Sequence, residues 1–249
     1  MKSVVSKIKP TSGFSHIFHI LLTLLLPALM FVFVRINLSQ MAALLILLSK
    51  WRMFAVRPRY WPANIRANAV DLIVGLSSLV FMVNAGSASW QLVWAAVYGI
   101  WLTQIKQGSS VLKVTMQAGL GQLFGLMAIY MGLGDAPALV LVISTWAICY
   151  LSARHFFSSF EEPYSSLLSH YWGYFAAALA WVLSHWLLYY GLLAQITLIL
   201  SVLGFGLAAL YYLDKFDRLS KLLRRQFVFI MVAIIVVVIV FSNWGDKTI

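Results

Sequence analysis

The chain carries only 7 Asp and Glu in 249 residues, so each acid and its company can be weighed for chemistry. Asp71 sits near the start of an apolar stretch, with Asn68, Gly75 and Ser78 three, four and seven residues away. Those spacings put all four on one face of a helix. An ionised side chain in a membrane is costly and faces protein or a water-filled cavity. Asp71 is therefore expected either to pair with a basic residue, Lys113 for example, or to serve a solute or proton site. A second group forms around one loop: Arg154, His155, Glu161, Glu162 and His170. Imidazole with carboxylate could hold a divalent metal or move a proton. Equally, Glu161 and Glu162 precede Pro163, where carboxylates complement the positive end of a helix that proline opens.

Lys113, Gln117, Gly121 and Gly125 follow at intervals of four. The glycines permit a close helix contact; alternatively the stripe lines a path with Lys113 at its mouth and Gln117 deeper. The stretch Lys50–Arg66 mixes five basic residues with Trp51, Phe54, Tyr60 and Trp61. Such a segment lies at a membrane interface and attracts anionic head groups, or binds a phosphate-bearing ligand. Asp214 and Asp217 precede Arg218 and Lys221 by four residues, a pairing order that supports an exposed helix. His170 and His185 are ~22 Å apart along one helix and cannot share a metal. His185 lies among Trp181, Trp186, Tyr189 and Tyr190, as in an interfacial aromatic belt, and His16 and His19 mark the first interface. Trp90, Trp94, Tyr98 and Trp101 form an aromatic stripe expected to pack. Asp135 and Asp246 are given no role. The single Cys149 has no disulfide partner, and neither a cofactor nor a metal site is assigned.

The elements that position these residues follow from composition. The chain is 62% hydrophobic and 10% charged, against about half and about a quarter in soluble domains. Its apolar residues fall into runs near the ~20 needed to cross a bilayer. The reading is an all-α polytopic membrane protein with one domain over residues 1–249 and no soluble domain. Nine spans are expected, at about 14–34, 38–56, 67–85, 90–105, 111–133, 136–153, 163–190, 192–213 and 226–243. The N-terminus is then cytoplasmic and the C-terminus external.

This topology puts 16 of the 18 Lys and Arg on the cytoplasmic side, leaving out only Arg35 and Lys247. Basic loops are retained there during insertion, which also explains the formal net charge of +11 without nucleic acid. The second span is the shortest apolar run, and its crossing rests on that charge bias. The first apolar run, after Lys2, Lys7 and Lys9, reads as a retained helix rather than a cleaved signal. The expected location is the plasma membrane of a prokaryote.

Nine helices with these termini are similar to UbiA-type prenyltransferases. Those hold Mg²⁺ and pyrophosphate with two Asp-rich motifs, where this chain has Asn68-x2-Asp71 and Asp214-x2-Asp217. Glu161-Glu162 resembles the Glu-Glu-x3-Arg of CAAX-type intramembrane proteases, but Ser166 stands at the Arg position. Neither family is assigned. Three functions remain open. One is a transporter or channel-like protein for a small polar or anionic solute, with an inward-facing site. Another is an assembly or scaffold subunit that contacts partners, or its own copies, through the ninth helix. The third is an embedded enzyme acting on a lipid-linked or phosphorylated substrate at the cytoplasmic face.

Overall fold

The computed structural model describes residues 14–108, 110–186 and 188–243. Lys2, Lys7, Lys9, Asp246 and Lys247 lie outside it, as do the side chains of His16 and His19. Among the described residues the chain folds into α1 (Phe14–Arg35), α2 (Ser39–Leu48), α3 (Trp61–Asn84), α4 (Ala88–Ile100), α5 (Val111–Gly132), α6 (Ala138–Ser158), α7 (Ser165–Ser184), α8 (Gln195–Lys215) and α9 (Lys221–Phe241). A two-stranded antiparallel hairpin, β1 (Tyr189–Tyr190) and β2 (Leu193–Ala194), joins α7 to α8. Its turn uses Gly191 at φ +63°, a left-handed conformation that glycine adopts without a Cβ clash.

The helix starts follow local chemistry. Ser87, Ser110 and Ser220 each accept a hydrogen bond from a backbone N–H three residues on, satisfying a donor that the helix itself leaves unpaired. Pro62 occupies the first turn of α3, where its missing N–H costs nothing. Five stretches are long and apolar enough to cross a membrane among the described residues: Pro58–Asn84, Val111–Gly132, Ala138–Ser158, Gln195–Lys215 and Lys221–Phe241. The protein is an all-helical chain of membrane-spanning character.

Two buried clusters form the interior. One gathers Met30, Ile46, Val74, Met82 and Tyr98 from α1 to α4; the other gathers Leu126, Leu141, Cys149, Ala176 and Leu200 from α5 to α8. The halves join where α3 meets α5. A Cβ at Gly121 would lie 2.8 Å from Val70 Cγ1, and one at Gly125 would lie 2.7 Å from Ile73 Cγ2. The stripe of glycines on α5 is a close-packing surface, as one of its two readings expected. Helix α9 packs on α8 and leaves most of its surface exposed.

Several helix ends shift by a few residues, and two of the differences have a clear physical reason. Instead of a span over 38–56, α2 stops at Leu48. Its 10 residues rise only ~15 Å, against a hydrocarbon thickness of ~30 Å. Beyond it the chain continues through 3-10 turns at Trp51–Met53 and Pro58–Tyr60. The seventh span, expected over 163–190, ends at Ser184, because Gln195 N–H bonds the Leu188 carbonyl and the hairpin takes over.

Candidate functional site

The break after α2 delivers Lys50 into the protein. Its side chain is 9% exposed, and its Nζ lies 2.8 Å from Asp71 Oδ2. Lys106 Nζ reaches the same oxygen at 2.9 Å. The other carboxylate oxygen, Oδ1, accepts a hydrogen bond from Trp101 Nε1 at 3.1 Å. Two ammonium groups and an indole therefore converge on one carboxylate, itself 14% exposed. Both ammonium contacts are charge-assisted and so stronger than neutral hydrogen bonds. The lysines that pair with Asp71 are thus 50 and 106. Lys113, the expected partner, is exposed and folds its methylenes against Gly108.

A local irregularity makes this convergence possible. Helix α4 continues as a π-helical turn over Trp101–Ile105, closed by Lys106 N–H donating to the Trp101 carbonyl at 2.9 Å. In an α-helix, residues five apart are rotated by about 140°. The wider π turn brings positions 101 and 106 back towards one face, and such turns recur at functional sites. With it, the indole and the ammonium both meet Asp71 from one continuous helix.

A second layer holds that turn in place. The Gln117 side-chain nitrogen donates to the carbonyls of Ile105 (2.6 Å) and Gly108 (3.0 Å). Its oxygen must then accept, so His155 Nε2, 2.9 Å away, carries the proton. Gln117 and His155, named from sequence for separate reasons, belong to one network that fixes the chain around Lys106. Asn68 donates to the Asn64 carbonyl at 2.9 Å, and Asn64 donates to the Met53 carbonyl at 3.3 Å. The latter bond ties the irregular segment after α2 to α3.

These elements border an open cavity of about 300 Å³, lined by Ser49, Lys50, Arg52, Met53, Asn64, Asn68 and Lys106. Its wall and the adjoining carboxylate count three cations, Lys50, Arg52 and Lys106, against Asp71 alone. The surplus is positive, and Asn64 and Asn68 add amides. Beyond Asp71 the polar character continues inward: the Tyr98 hydroxyl is fully buried without a hydrogen-bond partner, facing Gly75, where a Cβ would lie 2.8 Å from it. Compared with protein-family models, curated proteins and solved structures, the chain matches none.

The group expected around one loop is dispersed. Glu161 is exposed at φ 51°. His170 Nδ1 lies 2.7 Å from the Ser166 carbonyl of its own helix and its ring stands beside Tyr150 and Tyr174. Arg154 donates to Ser165 Oγ at 2.5 Å. Among the described residues no three His, Cys, Asp or Glu gather as a metal would require. Asp214 faces Arg224 at 4.0 Å rather than Arg218, because α8 ends at Lys215. His185 Nδ1 lies 2.7 Å from the Trp181 carbonyl, beside the Trp181 and Trp186 rings, as expected.

Glu162 has partners that sequence reading did not name. Tyr211 donates its hydroxyl to Glu162 Oε2, and Lys215 Nζ lies 2.9 Å from the same atom. The tyrosine hydrogen bond first, and the lysine second, hold this carboxyl below the usual glutamate range. Tyr211 and Lys215 are four apart on α8, and that spacing was the available signal.

Proposed function

We propose that this integral membrane protein binds a small oxyanion in the cavity at Lys50, Arg52 and Lys106, and that the site serves transport of an anionic solute. The observation that carries the reading is the early end of α2 at Leu48, after which Lys50 and Arg52 line a pocket. Irregular backbone in a membrane protein is tolerated where it is buried in protein or lines a water-filled cavity, and here it lines a pocket with surplus positive charge. Transporters build ion and solute sites from such interrupted helices. Asp71 is the fixed counter-charge: it holds two ammonium groups in place without neutralising both. An arriving oxyanion meets lysines already positioned, so little side-chain ordering opposes binding.

The orientation follows from charge. Helices of alternating direction bring Lys50, Lys106, Lys113, Arg154, Lys215 and the start of α9 towards the same end of the bundle. We assign that end to the cytoplasm, so the cavity opens inward. The buried Tyr98 hydroxyl extends the polar character past Asp71 towards the other side. His155 and Gln117 position Lys106 and do not touch the solute. Anionic head groups surround the exposed Trp51, Phe54, Tyr60 and Trp61 of the Lys50–Arg66 segment, which supplies the mouth.

The test is uptake by the purified protein in sealed phosphatidylcholine vesicles, using labelled phosphate and a panel of small carboxylates. Lys50→Gln and Arg52→Gln should each lower the flux of the transported anion at least tenfold. Wild-type vesicles no leakier than protein-free ones across the whole panel would reject transport. Flux equal in wild type and both variants would reject the site.

A further inference from the structure

A second cavity, of about 810 Å³, lies between α5, α6, α7 and α8. It exists because α7 packs on α6 while α8 packs on α5 and α9, so that α7 and α8 meet little. The resulting opening lies on the side of the helices, between α7 and α8. Its walls are apolar, with Trp172, Phe175, Phe205 and Ala208 among them. Along α8 the lining runs from Leu203 to Leu213, a rise of ~15 Å. That is half of the ~30 Å hydrocarbon thickness, the depth of one leaflet.

Both ends of this cavity are chemically distinct. Tyr211, in the lining, bonds Glu162 and lies under Lys215, whose Nζ is 5.6 Å from the ring centroid. Phe227, also in the lining, lies one turn after Arg224 on α9. Residue 162 and the segment 214–225 around this end carry five cations, Lys215, Arg218, Lys221, Arg224 and Arg225, against three acids, Glu162, Asp214 and Asp217. Within the wall Ser152 is 2% exposed, and its hydroxyl has no hydrogen-bond partner. A buried donor left unpaired is unfavourable, so a ligand that accepts from it gains accordingly.

We infer that this cavity holds one acyl chain of an acidic phospholipid drawn from the cytoplasmic leaflet. The chain fills the apolar walls between α7 and α8. Its phosphate sits among Lys215, Arg224 and their neighbours, and the Ser152 hydroxyl donates to an ester carbonyl oxygen. The site is separate from the Asp71 cavity and does not depend on it. A neutral lipid offers the chain and the ester but not the charge, so head-group selectivity is the distinguishing property.

The experiment uses the full chain in phosphatidylcholine vesicles with a trace of phosphatidylglycerol bearing a photoreactive acyl chain. After irradiation, labelled peptides should come from 168–175 and 203–213 in preference to the exposed face of α9. Ala208→Trp fills the cavity and should lower that labelling about tenfold, equivalent to about 1.4 kcal/mol. In the unaltered chain, unlabelled phosphatidylglycerol should compete and extra phosphatidylcholine should not; this arm holds even where the tryptophan variant fails to fold. Labelling spread evenly over α9, or undiminished by Ala208→Trp in a folded protein, would overturn the cavity as the site. Equal competition by the two lipids would overturn the acidic head group.

Discussion

Replacing Asp71 with asparagine keeps the shape of the site and removes its only carboxylate. Lys50, 9% exposed, then loses its buried counter-charge. Breaking a buried ion pair by removing one partner costs about 3–5 kcal/mol. Lys106 is 36% exposed and can turn towards water, so it adds less than about 1 kcal/mol. The expected loss is therefore about 3–6 kcal/mol, nearer the lower end because the carboxylate is partly exposed. At about 2–4 °C per kcal/mol for a chain of this size, Tm should fall by about 10 °C. Tryptophan fluorescence during thermal unfolding in detergent measures it, with Trp101 as a reporter inside the site. Asp71→Asn combined with Lys50→Met removes the stranded charge and should recover most of the loss. Phosphate should also raise Tm more in Asp71→Asn than in wild type, because it replaces the missing carboxylate. An unchanged Tm in Asp71→Asn, or a double variant no better than the single one, would refute the claim that these charges are buried and coupled.

Other consequences follow from particular contacts. Gln117→Leu strands the carbonyls of Ile105 and Gly108 and should cost about 1–3 kcal/mol for each group left buried; hydrogen exchange should then rise across 101–108 before it rises in α5. Gly125→Val pushes a side chain into Ile73 and Ile148 and should destabilise by about 1–3 kcal/mol, with Gly86→Val, in open space, as the harmless control. Glu162 has a folded-state pKa below its unfolded value, so its contribution is present above the unfolded pKa of about 4.3 and is lost as pH falls through the lower folded value. Exchange in residues 159–164 should accordingly rise on acidification, and Glu162→Gln should flatten that dependence; an identical acid response in the variant would remove the link between this loop and α8.

The helical periodicity around Asp71 pointed to the polar cluster found there, because a carboxylate, an asparagine and small residues on one face are visible in one dimension. Its partners were not visible. Lys106 reaches Asp71 only through the π turn at Trp101–Ile105, and no composition signal marks where a helix widens by one residue. Lys50 arrives because α2 stops at Leu48, although the apolar run and basic loop read equally well as a longer span. Gln117 and His155 were both singled out, yet the register between α5 and α6 that pairs them is a tertiary property. The glycines of α5 were readable as a packing face, since small residues four apart have a direct steric meaning. Tyr211 and Lys215 were passed over because each alone looks like an ordinary interfacial residue; their joint target, Glu162, lies 49 residues away from the tyrosine.

We propose that Lys50, Arg52 and Lys106 form an oxyanion site where α2 ends. Thermal stabilisation by inorganic phosphate, at constant ionic strength set with chloride, tests it most directly, since a ligand that binds the folded state raises apparent stability in proportion to its occupancy. A saturable rise in Tm is expected for the wild-type chain and should be lost in Arg52→Gln combined with Lys106→Gln. No rise in the wild type, or the same rise in the double variant, would contradict it.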